Sequence, residues 1–596
     1  MRTKPLAVLA AALSTALLAA GCATVPTKGP IRNSSQDAPA AGSAGIGVEA
    51  RPPRPNAEPL PLVNGFLEAM ADTRAFDVAR EYMTSKAAGS WKPESKTWVY
   101  DQTAGSGVSV DANKKVHLSA PLIATIDSRG SWTPAVPGDQ VDWVFELTEV
   151  SKQWRVANAP PGVFLGSNQL QPRLAPQALY FFNRSRELLV ADPVFLPNKV
   201  VAGQAATQLI QELLKGPTGR LGNSVVSAAP PGTTVNVSVP VESGVANVAL
   251  SGTAASLTDT LDRERLAAQI TWTLRPVTAR VRITVDGAPL LPDQPNDELS
   301  FATNFGQYDP SVPSGRMKDL YGLRDGKIQR IPQGQDGSQT IEPLPITDSP
   351  LYAYNAESFA VNLRGDAGAI VTTTRNGTQA VVYGRLDTPR NEQPTTMIPV
   401  EGKVLRPSYD NDDNLWILDR ADSAKPRLRV RGPDGKVATV QTNFGGSTPV
   451  VLRMAPDGVR ALLVMRQDDV STVQTATIEN TDGNQLVLNR FKPLHLRLAE
   501  ITDAAWSNLG ILVAGKAAKG ENQARPWQVN VDGSYQRALP GASSEFDAIH
   551  VAANPNLDTL PAVQDAAGQL HWQGKDLNWV DLADGPEGKV TPVYPG

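Results

Sequence analysis

The stretch Arg453-Met454-Ala455-Pro456-Asp457-Gly458, followed by the apolar run Ala461-Leu462-Leu463-Val464, sets the pattern that decides the fold of the C-terminal half. A turn dipeptide ahead of an apolar run predicts one strand that ends at a tight turn and another that begins after it. Related segments occur at four other places, which begin at Phe359, Arg406, Ala504 and Ile549. With Arg453 included, successive starts lie 47, 47, 51 and 45 residues apart.

Apolar runs follow four of the five segments: Ala369-Ile370-Val371, Leu415-Trp416-Ile417-Leu418, Ala461-Leu462-Leu463-Val464 and Ile511-Leu512-Val513. A period of about 40 to 50 residues with several short strands is typical of β-propeller blades. We therefore predict a C-terminal β-propeller over residues 310–596. Residues 319–344 could supply a sixth blade, and the blade number stays open because the first and last strands often share a blade. A pair of β-sandwiches is the alternative, but it would not need this spacing.

Residues 180–290 predict a second unit with the element order αββαβ. Its first helix, 203–215, has an apolar face and ends at Gly216-Pro217, and its second helix carries Leu266, Ile270 and Leu274 and ends at Pro276. The strands are predicted from alternating apolar residues, namely Val235, Val237 and Val239, then Ala246, Val248 and Leu250 after a turn at 242–244, and finally Val281, Ile283 and Val285.

Four segments of this unit resemble the GerMN domain of sporulation and germination proteins. They are Leu214-Lys215-Gly216-Pro217, Pro231-Gly232-Thr233, the stretch Ala268-Gln269-Ile270-Thr271-Trp272-Thr273-Leu274, and Val285-Asp286-Gly287. The resemblance implies a GerMN-like assembly or binding module, and it brings no catalytic residues with it.

Residues 60–170 begin with two helical patterns and continue as a series of strands. The first helical face carries Leu62, Val63, Phe66, Leu67 and Met70, and the second carries Phe76, Ala79, Tyr82 and Met83. Alternating residues then predict strands in 115–127, 141–147 and 154–156. This order predicts an α+β domain with helices packed on a curved sheet, which resembles an NTF2-like or cystatin cone. His117 alternates with Val116 and Leu118, which favours a solvent-side strand residue over a catalytic base.

The N-terminus is typical of an export signal. Arg2 and Lys4 precede an apolar run over 6–20 that is too short to span a membrane as a helix. The run ends in Leu18-Ala19-Ala20-Gly21-Cys22, which resembles the lipobox of bacterial lipoproteins, although Ala19 stands where that motif prefers Leu. The resemblance implies a lipoprotein signal peptide over 1–21, cleavage before Cys22, and acylation of that cysteine. An ordinary signal peptide with an incidental cysteine is the alternative. Residues 22–59, which are rich in Pro, Ala, Gly and Ser, predict a disordered tether.

Composition excludes several classes of function. With 56 Lys and Arg against 60 Asp and Glu, the net charge is −4, so the chain has no basic field for nucleic acid. One cysteine and four histidines, His117, His495, His550 and His571, exclude an intrachain disulfide and a zinc site rich in Cys and His.

The His-Glu-x-x-His motif, the phosphate loop with Gly-Lys before Ser or Thr, and the Gly-x-Ser-x-Gly motif are also missing from the sequence. The stretch Asp410-Asn411-Asp412-Asp413-Asn414 could supply oxygen ligands to calcium, but its place before a strand favours a tight turn. We therefore predict no catalytic residue, metal or cofactor, and Cys22 is the one site residue that we assign. Overall, the sequence predicts a multi-domain, β-rich protein.

The order of lipobox, tether, α+β domain, GerMN-like domain and propeller resembles the LpqB family of actinobacterial lipoproteins over essentially the whole chain. The start of the mature chain, Cys22-Ala23-Thr24-Val25-Pro26-Thr27, and the stretch 154–162 also resemble that family. The resemblance implies a protein anchored to the outer face of the cell membrane through acyl chains on Cys22.

The same resemblance implies a partner, the extracytoplasmic domain of the sensor histidine kinase MtrB. Through it the chain would modulate the MtrA–MtrB two-component system, which is linked to cell-wall homeostasis and division. Two alternatives stay open. One is a protein that binds peptidoglycan or polysaccharide of the cell envelope, and the other is a hydrolase or lyase that uses His495, His550 or His571 in the propeller channel.

Overall fold

The computed structural model describes residues 50–596 except 73–75, 103–106, 199, 295–296, 310, 312–318, 332–342, 390–393, 482–484, 509, 519–522, 542–546, 557–558, 575–576 and 583–588. The predicted signal peptide, Cys22 and most of the predicted tether therefore lie outside the described residues. No helix in the described part is long and apolar enough to cross a membrane.

In the described part of the chain, the first domain packs four helices against a strongly bent sheet. Its helices are α1 Pro59–Met70, α2 Asp77–Glu81, α3 Ser85–Ser90 and α4 Ser167–Arg173. Its strands are β1 Lys96–Tyr100, β2 Val108–Val110, β3 Val116–Asp127, β4 Trp132–Pro134, β5 Gln140–Phe145, β6 Leu147–Val150, β7 Gln153–Val156 and β8 Val163–Gly166. The long strand β3 pairs with β2 and β5 along its first half and with β1 and β4 along its second half, which bends the sheet around α1.

Helix α1 forms because Pro59 occupies its first turn and its apolar residues recur at helical spacing. Leu62, Val63, Phe66 and Met70 are each at most 1% exposed and pack on the sheet. Residues 50–58 also pack on this domain, since the Tyr82 hydroxyl donates to the Arg51 carbonyl at 2.7 Å. Residues 50–58, which lie within the segment predicted as tether, are therefore packed against the first domain.

The second domain begins with a long hairpin that the sequence pattern does not predict. The hairpin consists of β9 Leu174–Phe182 and β10 Leu189–Pro197. The other elements are α5 Ala202–Leu214, β11 Thr233–Val235, β12 Val241–Glu242, β13 Val245–Gly252, α6 Thr260–Leu274, β14 Arg280–Val285, β15 Ala288–Pro289, β16 Glu298–Leu299 and α7 Phe301–Asn304. The central strands β13 and β14 are parallel, as α6 crosses between them, and the predicted αββαβ order lies within this arrangement.

The prediction of one continuous strand through Val235, Val237 and Val239 is wrong, because the strand is interrupted after Val235. β11 ends at Val235, the chain leaves the sheet, and β12 resumes at Val241. Val239 is buried while Val237 is 96% exposed, so the three valines do not share a face. The interruption follows from the pairing register, because residues 236–240 of this strand lie opposite the shorter stretch 247–249 of β13. On either side of the outward loop, the backbone N–H groups of Asn236 and Asn247 donate to Ala249 O and Pro240 O at 2.9 Å.

In the described part of the chain the propeller consists of six blades of four strands each, which settles the blade number. Blade 1 consists of β17 Leu320–Arg324, β18 Lys327–Ile331, β19 Leu344–Pro345 and the C-terminal strand β40 Thr591–Val593. Blade 2 consists of β20 Ser358–Val361, β21 Ala367–Thr373, β22 Gln379–Arg385 and β23 Thr396–Pro399. Blade 3 consists of β24 Ser408–Tyr409, β25 Leu415–Asp419, β26 Arg427–Arg431 and β27 Val437–Thr442.

Blade 4 consists of β28 Thr448–Met454, β29 Arg460–Gln467, β30 Val470–Asn480 and β31 Leu486–Pro493. Blade 5 consists of β32 Leu498–Ser507, β33 Gly510–Ala517, β34 Ala524–Val529 and β35 Gln536–Ala538. Blade 6 consists of β36 Ala548–Ala552, β37 Ala562–Asp565, β38 Leu570–Gln573 and β39 Trp579–Asp581. Blades 3 and 4 form one eight-stranded sheet, because their outer strands, β27 and β31, pair in parallel, and the other four blades are separate sheets. Strand β40 pairs with β17 and contacts β20 and β36, so the last strand of the chain closes the ring. The predicted fold class is confirmed.

Candidate functional site

The β9–β10 hairpin connects the second domain to the propeller. Asn183, at the end of β9, is 3% exposed, and its Oδ1 accepts from the backbone N–H groups of Glu187 and Leu188 at 3.0 and 3.1 Å. These two bonds fix the hairpin loop. The amide Nδ2 of Asn183 then donates to the Asp457 carbonyl of blade 4 at 3.3 Å. One side chain therefore both shapes the loop and attaches it to the propeller.

A cleft of about 340 Å³ opens between this hairpin loop and blades 3 and 4, and we call it the junction cleft. Most of its polar lining consists of carboxylates and amides, which come from Asn183, Asp410, Asp412, Asn414, Asp434, Asp457 and Asn480. Arg184 and Lys436 are the cations among the lining residues. The Lys436 ammonium pairs with Asp434 at 3.0 Å, and its side chain is 89% exposed. The lining therefore favours a polar ligand that carries hydroxyl groups or positive charge.

Asp410 organises the inner wall of the junction cleft. Its Oδ1 accepts from the backbone N–H groups of Asp412 and Asn414 at 3.0 and 3.1 Å, and its Oδ2 accepts from Trp416 Nε1 at 2.8 Å. These bonds make 410–414 the tight turn that the sequence predicts. Burial raises the pKa of Asp410 to about 6, and burial together with the nearby Glu187 carboxylate raises the pKa of Asp412.

A second junction joins the first domain to the second. Arg129, in the turn between β3 and β4, donates from Nε to Glu212 Oε2 at 3.0 Å. Its Nη2 donates to the carbonyl oxygens of Glu212 and Gly216 at 3.1 and 2.8 Å. These carbonyls lie at the C-terminal end of α5, where a cation is favoured by the helix dipole and by unsatisfied acceptors. Arg129 therefore serves as a cap for a helix of the neighbouring domain.

The three histidines of the hydrolase alternative lie in different surroundings. His571 lies between two carboxylates, with Nδ1 at 2.5 Å from Asp581 Oδ1 and Nε2 at 3.2 Å from Asp565 Oδ2. His550 bonds Asp503, and His495 follows β31, where burial lowers its pKa. The carboxylates that face His571 are thus different from the one that faces His550.

The remaining predicted residues have simpler outcomes. His117 is a partly exposed strand residue, as predicted, and its Nε2 lies 3.2 Å from Asp111 Oδ2. Cys22 lies outside the described residues, so its acylation stays a prediction.

Sequence reasoning missed the residues that connect the domains. The hairpin could have been found from its apolar runs on both sides of Asn183-Arg184-Ser185, which is a strand–turn–strand signal. No local signal marks Arg129 and Glu212 as partners, since they are 83 residues apart.

Three family models match the chain in the order of its domains. Residues 52–171 match the N-terminal domain of Lipoprotein LpqB, 178–291 match the model described as Sporulation and spore germination, and 335–595 match the Lipoprotein LpqB beta-propeller domain. The fold and these matches define a multi-domain protein in which a GerMN-like domain lies between an α+β domain and a six-bladed propeller.

Curated relatives share this organisation over their whole length. The chain is 28% identical to Lipoprotein LpqB of Thermobifida fusca, covering 99% of each protein, and 27% identical to that of Cutibacterium acnes, covering 98% of each. Among solved structures, the tandem GerMN domains of GerM from Bacillus subtilis are 19% identical, with a TM-score of 0.17, over 29% of this chain and 59% of that one. The chain belongs to the LpqB lipoprotein family.

Proposed function

We propose that this chain is a non-catalytic binding protein, anchored by acyl chains on Cys22 at the outer face of the cell membrane, that contacts the extracytoplasmic domain of the sensor kinase MtrB. Through this contact it modulates phosphorylation of MtrA, and with it cell-wall homeostasis and division. Family membership supports the lipoprotein part of the proposal.

The observation that carries the proposal is the joining of three domains into one compact unit over residues 50–596. The domains meet through buried or partly buried polar contacts, including Arg129 with Glu212, Asn183 with Asp457, and Ser224 with Glu479 at 3.2 Å. A protein whose domains are joined in this way can bind one conformation of the kinase more tightly than another. Its own domains do not rearrange to fit both conformations equally well. Differential binding of that kind is what shifts a conformational equilibrium.

The contact surface that we favour is the interrupted edge of the second-domain sheet. Val237 is 96% exposed in the outward loop, and Val201, just ahead of α5, is 67% exposed. Helix α5 begins against this edge, since a Cβ on Gly203 would lie 3.4 Å from Val239 O. Exposed valines beside this edge supply the apolar centre that a protein interface needs, and the interruption keeps each stretch of edge strand short, which disfavours aggregation.

The test is a binding measurement between the purified chain and the extracytoplasmic domain of MtrB. Val237→Asp is expected to weaken binding at least tenfold without changing thermal stability, because the side chain has almost no contacts to lose. Val470→Asp, at a valine that is 62% exposed on blade 4, is the matched control and should bind like the wild type. Wild-type protein that does not bind, even with both partners in one bilayer, would contradict the proposal.

Deleting whole domains would be a poor test. Each deletion would expose the Arg129 or Asn183 junction and the core around it, so a loss of binding could reflect unfolding.

The junction cleft supports a second candidate function, the binding of a peptidoglycan or polysaccharide fragment. The observation in its favour is a 340 Å³ cleft lined by carboxylates and amides. Muropeptides should then raise the melting temperature of the wild type but not of Asp412→Asn. Equal responses of the two proteins would contradict this function.

A further inference from the structure

The centre of the propeller contains a cluster of charged side chains that neither proposed function uses. The innermost strands of the six blades contact one another in turn around the ring: β20, β24, β28, β32, β36 and β40. Four successive blades each contribute one residue at or just ahead of that strand, namely Arg406, Arg453, Asp503 and His550. We call these four residues the central cluster.

Asp503 is the hub of the central cluster, and its carboxylate is fully occupied. Its Oδ1 accepts from Arg453 Nη2 at 3.1 Å and from the backbone N–H of Ala504 at 2.9 Å. Its Oδ2 lies 3.3 Å from His550 Nδ1 and accepts from the backbone N–H of Val551 at 3.3 Å. Because a carboxylate offers about four acceptor positions, Asp503 has none left for another donor.

Arg406 is therefore a cation without a hydrogen-bond partner. No hydrogen bond or ion pair joins its guanidinium to a residue in the described ranges, although the charges of Arg453 and Asp503 both act on it. Burial and the Arg453 charge lower the pKa of Arg406 to about 9. Arg453 is itself only 8% exposed, and its Nε is buried without a partner. The charges of two guanidinium groups thus face one carboxylate, which pairs with Arg453 alone. The Arg406 charge and the Arg453 Nε–H are left without a partner among the described residues.

Solvent reaches this cluster. The His550 side chain is 44% exposed, and Arg406 keeps part of its surface accessible. Even a partly buried arginine without an ion-pair partner is costly, and in proteins such a charge is usually paired or binds a ligand. The planar guanidinium fork matches the two oxygens of a carboxylate or phosphate. We propose that the central cluster binds an oxyanion, a carboxylate or phosphate group, with Arg406 as its principal ligand and Arg453 Nε as a second donor.

The experiment measures binding to the full-length chain in detergent by calorimetry and by thermal unfolding. Inorganic phosphate and succinate are titrated separately at constant ionic strength set with NaCl, so that general screening does not change. Saturable binding of either anion supports the site, and the preferred anion identifies the ligand class. Phosphate released on denaturing freshly purified protein would show a site already occupied.

Arg406→Ala should weaken binding at least tenfold, and in anion-free buffer it should melt no lower than the wild type because an unpaired charge has been removed. Arg406→Lys keeps the positive charge but loses the planar guanidinium group. It should therefore fold like the wild type and bind the anion several-fold more weakly. Arg466→Ala, at an exposed arginine of β29, removes the same charge elsewhere and should bind like the wild type. The proposal is overturned if the wild type binds neither anion, or if Arg406→Ala and Arg406→Lys both bind as tightly as Arg466→Ala.

Discussion

Replacing Arg129 with alanine should separate the first domain from the second. The side chain makes three hydrogen bonds across that junction, one to the Glu212 carboxylate and two to carbonyls at the end of α5. Glu212 is 9% exposed, so after the substitution its charge keeps only Lys215, whose Nζ lies 2.6 Å away and whose side chain is 52% exposed. The carbonyl oxygens of Glu212 and Gly216 lose their donor, and only water can replace it.

The expected loss is about 2 to 4 kcal/mol. Removing one partner of a buried ion pair costs about 3 to 5 kcal/mol. Lys215 and the partial exposure of Arg129, 25% of its side chain, reduce that figure. The lost carbonyl bonds act in the other direction, since a hydrogen bond to a charged group contributes about 1.5 to 3 kcal/mol.

Urea unfolding followed by tryptophan fluorescence and circular dichroism measures this effect. Arg129→Ala should lower the first transition and make the two signals diverge as the first domain unfolds by itself. Arg280→Ala is the matched control, because Arg280 also has a carboxylate and a carbonyl partner, Glu298 at 3.0 Å and Ser243 O at 2.9 Å. That pair is exposed and lies within one domain, so the loss should be about 1 kcal/mol or less. Equal losses in the two variants would refute the reasoning.

Three other predictions concern the fold. Gly162→Ala should cost several kcal/mol, because its Cβ would lie 2.1 Å from Lys96 O at a φ of +128°, whereas Gly138→Ala, at +100° in open space, should cost about 1 kcal/mol in the same urea assay. Burial raises the pKa of Asp410 to about 6 in the folded protein, so the folded state holds a proton that the unfolded state has lost. Stability should therefore fall as pH rises from 4 to 7, by up to about 3 kcal/mol from this group, and Asp410→Asn should flatten the profile of urea midpoints. Deleting residues 591–596 removes β40, so thermal unfolding should show a less stable propeller, while a melting temperature equal to that of the full chain would contradict strand closure.

Periodic patterns made most of the fold predictable. The 47-residue spacing from Phe359 to Arg453 located blades 2 to 4, because each blade repeats the same buried strands. The β9–β10 hairpin escaped prediction because Tyr180, Phe181 and Phe182 are all buried, so the strand has no alternation to recognise. Val237 was misplaced for the opposite reason. Its pattern alternates, but residues 236–240 lie opposite only 247–249 of the partner strand, so the extra residues loop outward.

The sites were far less predictable. The Asp410 turn is local and could be read from its composition. The central cluster is assembled from Arg453, Asp503 and His550, which are about 50 residues apart and meet only because blades close into a ring. Arg406 and Arg453 open two consecutive repeat segments, and that recurrence of a charge was the one available signal.

The most direct test of the proposed function is the phosphorylation of MtrA by MtrB in vesicles that also contain this protein. Wild-type chain anchored through Cys22 should change the rate of phosphorylation, because anchoring raises its effective concentration near the kinase. The same amount of Cys22→Ser protein in solution should change the rate far less. Equal rates with the anchored protein, the soluble protein and no protein would contradict the proposed signalling role.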